Sequence, residues 1–191
     1  MEKIKYDIFI KGSAIDLVCL TKEIAYNSNW YNWFNDEDTT KGMQKHYFPN
    51  TRELQSDFYQ KHIEGSIDKL QVGIFHKKDQ LLIGVLSLNN IDYINRSCEI
   101  AGLIGEKKHR NFKDYIEANK LLINHAFRTL NLNRIYGGSV TKEVNEMFCR
   151  VLGFKSEGIQ KKAVYKNGDY VDVYLFGLLK EDYLKMTVLK K

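Results

Sequence analysis

The stretch Cys98-Glu99-Ile100-Ala101-Gly102-Leu103-Ile104-Gly105 decides the fold. Its apolar residues, bounded by a glycine, predict a strand over 98–104. A basic turn follows, and then a helix whose apolar residues recur at three- and four-residue spacing, which predicts that one face packs on a sheet. The residues on that face are Ala118, Leu121, Leu122, Ala126 and Leu130.

Further strands are predicted on both sides of this unit, at 15–20, 70–76, 81–88, 135–140, 164–166 and 170–179. Asn167-Gly168 between the last two predicts a hairpin. The order of elements indicates an α+β class with mixed α/β character, built on a mostly antiparallel twisted sheet with helices on both faces.

Three more helices are predicted from local patterns. The aromatic run Trp30 to Phe34 looks like a short helix, and Asn50 to Glu53 has the residues of a capping box that opens a helix to about His62. A third begins near Lys142 and ends at Gly153, which suits the left-handed position after a helix.

The composition limits the kinds of protein that this chain can be. The 191 residues are 43% hydrophobic and 28% charged, with Pro49 as the only proline, which is typical of one globular domain over 1–191. No apolar run is long enough to cross a bilayer, and the start lacks a secretory signal, so we expect a cytoplasmic protein without a membrane partner. The three separated cysteines predict reduced thiols.

The net charge of +5 is spread along the chain, so we expect no nucleic-acid partner. A mild positive field instead favours a ligand with several phosphates, such as coenzyme A or a nucleotide sugar. The histidines show no metal-ligand spacing, and four of them are expected to serve packing or solvent contact, so no metal site is predicted. These four are His46, His62, His76 and His125.

From Leu82 to Tyr183 the chain resembles the GNAT acetyltransferases, especially the branch that contains ribosomal-protein N-terminal acetyltransferases and enzymes acting on nucleotide-linked amino sugars. The pieces that carry the resemblance are Ile83-Gly84-Val85-Leu86, the stretch 98–105, Glu117-Ala118, His125-Ala126-Phe127, Leu132-Asn133-Arg134-Ile135, Leu152-Gly153-Phe154 and 165–179. It implies a sheet that splays open after Glu99 to bind acetyl-CoA.

The resemblance also implies where acetyl-CoA binds. Its pantetheine would pair with the strand at Leu103 and Ile104, and its pyrophosphate would meet the next turn and helix N-terminus. The family's Arg/Gln-x-x-Gly-x-Gly/Ala pattern falls on Arg110, Asn111, Phe112, Lys113, Asp114 and Tyr115. Lys113 and Tyr115 replace glycines. Side-chain cations could hold the phosphates instead, or their cluster could be a solvated loop; its members are Lys107, Lys108, His109, Arg110 and Lys113.

For catalysis the resemblance makes Glu99 the base that removes the proton of the amine, with Asp92 and Glu106 as weaker candidates. Cys149 stands at the position of a proton-donating tyrosine, and the alternative is a packing role. Asn145, one helical turn earlier, could bond the pantetheine amide.

Trp30, Trp33 and Phe48, together with Tyr47, would lie on the acceptor side and could stack on a sugar or base, although core packing explains them equally well. The preferred hypothesis is acetylation of a nucleotide-linked amino sugar by a monomer or homodimer. The alternatives are acetylation of a protein N-terminus and a silent CoA-binding module.

Overall fold

The computed structural model describes residues 4–43 and 48–188. These residues form an eight-stranded sheet in the spatial order β1-β2-β3-β4-β5-β6-β8-β7, in which only the β5–β6 pair is parallel. The strands are β1 (Ile8–Lys11), β2 (Ile15–Cys19), β3 (Leu70–His76), β4 (Leu81–Asp92), β5 (Ser97–Ile104), β6 (Arg134–Ser139), β7 (Lys155–Lys166) and β8 (Asp169–Leu179). The predicted fold class, a mostly antiparallel sheet with helices, is confirmed.

The helices are α1 (Lys22–Asn27), α2 (Trp30–Trp33), α3 (Glu37–Thr40), α4 (Arg52–His62), α5 (Phe112–Arg128), α6 (Lys142–Val151) and α7 (Lys180–Val188). These helices contribute to two different hydrophobic clusters. One contains the apolar faces of α5 and α6, and the other contains residues of α1 and α2 with one side of β2, β4 and β5. The alternation of side chains along the strands assigns each cluster to its own face of the sheet.

The local predictions agree with most element boundaries. Asn167 and Gly168 have φ of 51° and 90°, as the two-residue hairpin requires, and Gly153 has φ of 82° after α6. The cap of α4 is Thr51, whose side chain accepts a hydrogen bond from the Leu54 N–H, and not Asn50. None of the described helices is both long and apolar enough to span a bilayer.

Three strands were not predicted in full. β1 is absent from the prediction, and β4 continues past the predicted end at Leu88 to Asp92. β7 begins nine residues earlier than expected, at Lys155 and not at Val164. The early part of β7 is exposed and rich in lysine because it forms the edge of the sheet. An exposed edge strand needs no apolar alternation, so its sequence resembles a loop.

Candidate functional site

The centre of the sheet opens between β5 and β6. These parallel strands pair only at Ser97–Arg134, Cys98–Ile135 and Glu99–Tyr136. Beyond Glu99, β5 pairs with β4 and β6 pairs with β8. The splayed opening implied by the resemblance is therefore present, and it begins at Glu99.

Backbone groups of β5 face this opening at every second residue. The Gly105 N–H donates to the Ile83 carbonyl at 2.9 Å, which fixes the alternation of the β4–β5 ladder. By this alternation the N–H and C=O groups of Ile100, Gly102 and Ile104 point away from β4. The Ile100 carbonyl lies 3.1 Å from the position that a Cβ on Gly137 of β6 would occupy, which agrees with that direction.

A cavity of about 550 Å³ fills the opening, a size typical of small-molecule sites. Its walls are β5 from Glu99 to Ile104, the turn before α5 and its first helical turn, two α6 side chains (Val144 and Phe148), and parts of β6 and β8. Residues 36–43, which we call the cover segment, close one side through Asp38, Thr39, Gly42 and Met43.

The N-terminus of α5 borders the cavity. Asn111 caps the helix and accepts a hydrogen bond from the Asp114 N–H at 3.1 Å. The N–H groups of Phe112 and Lys113 have no acceptor inside the helix, as at any α-helix start, so they are available to an anion. None of the described residues 105–115 has a positive φ, so the turn does not need glycine at Lys113, whose side chain is exposed.

Tyr115, the other residue that replaces a glycine, lies against the opening. Its hydroxyl donates to the Gly102 carbonyl at 3.2 Å, and its ring meets Phe148 edge-on, with ring centroids 6.5 Å apart. Burial raises the pKa of Tyr115 to about 12, so the hydroxyl keeps its proton at neutral pH. Tyr115 therefore occupies one backbone acceptor of β5 and still leaves the cavity open.

Two of the cations expected to hold phosphates, Arg110 and Lys107, are paired with carboxylates. Arg110 lines the cavity, but its guanidinium lies 3.0 Å from the Asp36 carboxylate and also contacts Thr39. Lys107 is 2.7 Å from Asp36 and 3.6 Å from Asp38. Hydrogen bonds from Lys107, Thr39 and Arg110 hold the pKa of Asp36 far below its usual range. These ion pairs attach the cover segment to the turn before α5.

The other end of the cover segment is attached to the last hairpin. The Lys166 ammonium donates to the carbonyls of Thr40 and Met43, at 2.7 and 2.5 Å. Burial lowers the pKa of Lys166. Two parts of the chain thus hold the cover segment over the cavity.

Glu99 is the carboxylate at the junction of the opening. It lines the cavity, and its Oε2 lies 3.4 Å from the side-chain amide of Asn90. The weaker candidates have structural partners. Asp92 accepts hydrogen bonds from two backbone N–H groups of the following turn, and Glu106 accepts one from the Trp33 indole at 2.9 Å.

Two residues of α6 do not reach the site. Within the described part of the chain, neither Cys149 nor Asn145 lines the cavity. The Asn145 amide donates to the Leu175 carbonyl at 3.2 Å, and the Cys149 thiol contacts the Asn145 side chain. Burial raises the pKa of Cys149. The structure therefore does not support Cys149 as the proton donor, or Asn145 as the pantetheine ligand, because the thiol contacts the Asn145 side chain and the Asn145 amide bonds the β8 backbone.

The aromatic residues expected to stack on an acceptor differ in their exposure to solvent. Trp30 and Trp33 are 0% and 2% exposed and belong to the hydrophobic cluster under α1 and α2, so that prediction is wrong for both. Core packing, the competing interpretation, explains them. Phe48 is 87% exposed and its role stays a prediction. Tyr47 lies outside the described residues.

A cluster of histidines and carboxylates lies beside the turn before α5. The ring of His76, at the end of β3, meets that of His109 with the centroids 4.5 Å apart and the planes tilted by 53°. Asp79 Oδ2 is 3.1 Å from His76 Nδ1 and 3.0 Å from His109 Nε2. Asp114 Oδ2 is 3.8 Å from His109 Nδ1. Sequence spacing could not reveal this cluster, because its members come from two separate parts of the chain.

Comparison with known proteins gives a consistent result. A family model described as an acetyltransferase (GNAT) domain matches residues 23–153. A probable N-acetyltransferase of Bacillus subtilis, YjcK, is 33% identical over 151 residues, which are 78% of this chain and 77% of that protein. The putative ribosomal N-acetyltransferase YdaF of the same organism is 30% identical over 61% of this chain and 63% of its own length.

Among solved structures, the spermidine N-acetyltransferase of Vibrio cholerae in complex with CoA and spermine superposes with a TM-score of 0.79 at 22% identity. The superposition covers 91% of this chain and 99% of that one. At this identity the likeness concerns the fold alone.

Proposed function

The chain belongs to the acetyltransferase (GNAT) family and is an acetyl-CoA-dependent N-acetyltransferase, and we propose that it acetylates a primary amine of a small cationic molecule with Glu99 as the base. The observation that carries this proposal is the position of Glu99, where β5 and β6 part and the cavity begins. The roles of the other residues follow from their place along the opening.

The opening fits the shape and chemistry of acetyl-CoA, which supplies the acetyl thioester. The backbone groups of Gly102 and Ile104 offer donors and acceptors to an extended amide chain, as a neighbouring strand would. The first turn of α5 offers N–H groups and a helix dipole to the phosphates. Because Arg110 and Lys107 are paired with the cover segment, the phosphates are left to the backbone donors and to the exposed Lys108 and Lys113 of the same turn.

The Ile100 N–H is used in the last pair of the β5–β6 ladder, Glu99–Tyr136, so the first β5 donor along the opening is the N–H of Gly102, which can donate to the oxygen of the reacting carbonyl. A donor of this kind lowers the barrier by about 3 kcal/mol because negative charge develops on that oxygen. An oxyanion donor and a base on the same strand support the proposed reaction.

Glu99 then accepts a proton from the amine. A free primary amine is protonated at neutral pH and cannot attack a carbonyl until the proton leaves, so a base at the junction accelerates the reaction. General-base catalysis contributes about 10²- to 10⁴-fold. The partner of Glu99 is the neutral Asn90 amide, so the carboxylate has no paired cation among the described residues and stays free to accept a proton.

The charge around the cavity favours a cationic acceptor. Glu99 lines the cavity without a paired cation among the described residues, whereas the guanidinium of Arg110 is paired with Asp36 and the carboxylate of Asp38 with Lys107. A polyamine would be attracted to such a site, in keeping with the solved relative that binds spermine. A nucleotide-linked amino sugar carries phosphates and would lack the stack expected from Trp30 and Trp33, so it stays a prediction with less support.

A thiol-release assay with acetyl-CoA tests the proposal. Three acceptors are compared: spermidine, a nucleotide-linked amino sugar, and a short peptide with a free N-terminus. We expect the highest kcat/KM with spermidine. Turnover confined to the amino sugar or to the peptide would overturn the cationic acceptor and leave the acetyltransferase activity standing.

Glu99→Gln tests the base separately. We expect kcat/KM to fall by at least about 100-fold while the Kd for CoA changes little, because the side chain keeps its size and does not hold the cofactor. Glu64→Gln, an exposed carboxylate after α4, is the matched control. Wild-type turnover by Glu99→Gln at every pH would exclude Glu99 as the base.

A further inference from the structure

The cluster of His76, Asp79, His109 and Asp114 lies outside the cavity that binds acetyl-CoA. His76 ends β3 and Asp79 belongs to the turn into β4, whereas His109 and Asp114 flank the start of α5. The cluster therefore joins the β3–β4 turn to the segment that meets the phosphates of the cofactor. Neither catalysis nor acceptor binding as described above uses these four side chains.

The donor atoms of the cluster are close together and mostly buried. His109 and Asp114 are 9% and 5% exposed. One ligand atom from each of His76, His109 and Asp114 lies within 4.8 Å of the others. A tetrahedral ion with bonds of about 2.0–2.1 Å separates its ligands by about 3.4 Å, so a small closure of the side chains is enough to bind one.

Asp79 supplies the outer contact that metal-binding histidines usually have. Its Oδ2 is 3.0 Å from His109 Nε2, which leaves His109 Nδ1 on the side of Asp114. A ligating histidine commonly donates its second ring N–H to a carboxylate, which fixes the ring orientation. Asp79 contacts His76 Nδ1 as well: its carboxylate lies 3.1 Å from this nitrogen, and its backbone N–H donates to it at 3.3 Å, so one residue holds both rings.

We propose that His76, His109 and Asp114 bind a divalent transition-metal ion of the zinc class, with Asp79 orienting the two imidazoles. Two imidazoles and one carboxylate form a donor set that zinc prefers, and water completes the coordination. The ion tethers the β3–β4 turn to the start of α5 and so stiffens the phosphate-binding turn. This role differs from metal-assisted catalysis, because the ion lies outside the cavity.

Titration of the purified protein, first treated with a chelator, with Zn²⁺ and with Co²⁺ tests the site. We expect one ion per chain, visible absorption of Co²⁺ typical of a four-coordinate site, and a higher unfolding temperature with metal. Affinity should fall as the pH is lowered, because protons compete for the imidazole nitrogens. The exposed Cys19 is replaced by serine throughout, so that its thiol cannot bind the ion.

Variants distinguish this site from other metal-binding groups. His76→Gln and His109→Gln should each lose at least about tenfold in affinity and the Co²⁺ absorption, whereas His62→Gln on α4 should retain both. The far-UV circular dichroism of metal-free His76→Gln, compared with that of the metal-free wild type, checks that the variant is folded. Equal Zn²⁺ affinity in the wild type, His76→Gln and His62→Gln, or no saturable binding to the wild type, would overturn the proposal.

Discussion

Replacing Tyr115 by phenylalanine should tighten the binding of acetyl-CoA. In the protein alone, the Tyr115 hydroxyl donates to the Gly102 carbonyl at 3.2 Å. That carbonyl faces the opening, where an extended amide chain would use it as an acceptor. The cofactor must therefore displace the hydroxyl before it can form the same hydrogen bond.

The size of the effect follows from one neutral hydrogen bond. Such a bond contributes about 0.5–1.5 kcal/mol net, so its removal should lower the Kd roughly two- to tenfold. Phenylalanine keeps the ring that meets Phe148 edge-on, so the cavity wall should stay in place. The loss of the bond should lower the free energy of unfolding by a similar amount.

Isothermal titration with CoA measures this directly, with Tyr183→Phe as the control. The Tyr183 hydroxyl donates to Asn124 Oδ1 at 3.0 Å, and Tyr183 is not among the cavity-lining residues. We expect its removal to leave the Kd unchanged. Weaker CoA binding by Tyr115→Phe would mean that the hydroxyl contacts the cofactor itself. An unchanged Kd would mean that the cofactor does not use the Gly102 carbonyl, and either result would refute the reasoning.

Three further predictions concern stability and the cover segment. A Cβ on Gly105 would overlap the Trp33 ring, so Gly105→Ala should destabilise the protein by about 1–3 kcal/mol, seen as a lower Tm. Lys166→Met removes the hydrogen bonds to the cover segment and should raise KM for acetyl-CoA while changing Tm little. An unchanged KM would mean that this contact does not affect cofactor binding. The Arg134 guanidinium holds the pKa of Glu157 below its usual value, so this pair stabilises the fold above about pH 4.3 and loses its effect as the pH falls further. Denaturant unfolding of Glu157→Gln should accordingly show a weaker loss of stability on acidification than the wild type.

The sequence predicts the framework of the sheet well because the central strands carry dense apolar residues and the turns carry specific chemistry. The stretch 98–104 forms β5 nearly as expected, and Asn167-Gly168 adopts the positive φ values of a tight hairpin. The opening after Glu99 was implied by resemblance and is present in the strand pairing. These features depend on neighbours along the chain, or on a pattern shared by a family.

The site is less predictable because side-chain direction depends on distant contacts. Trp30 and Trp33 have the composition of a stacking surface, yet burial places them in the core. Arg110 fits the family pattern, yet its guanidinium forms an ion pair with Asp36, which is far away in sequence. Cys149 occupies the expected position on α6, but that position does not line the cavity. Sequence spacing alone contains none of these distances.

The alternating directions of the β5 backbone also give each residue a different exposure to hydrogen exchange. Ala101 and Leu103 bond to β4, so their amide hydrogens should exchange slowly, whereas those of Gly102 and Ile104 face the cavity and should exchange quickly. Binding of the cofactor should slow only the second group. Cofactor binding would then appear as a slower exchange rate at every other amide of one strand, and it could be followed without a label or an acceptor substrate.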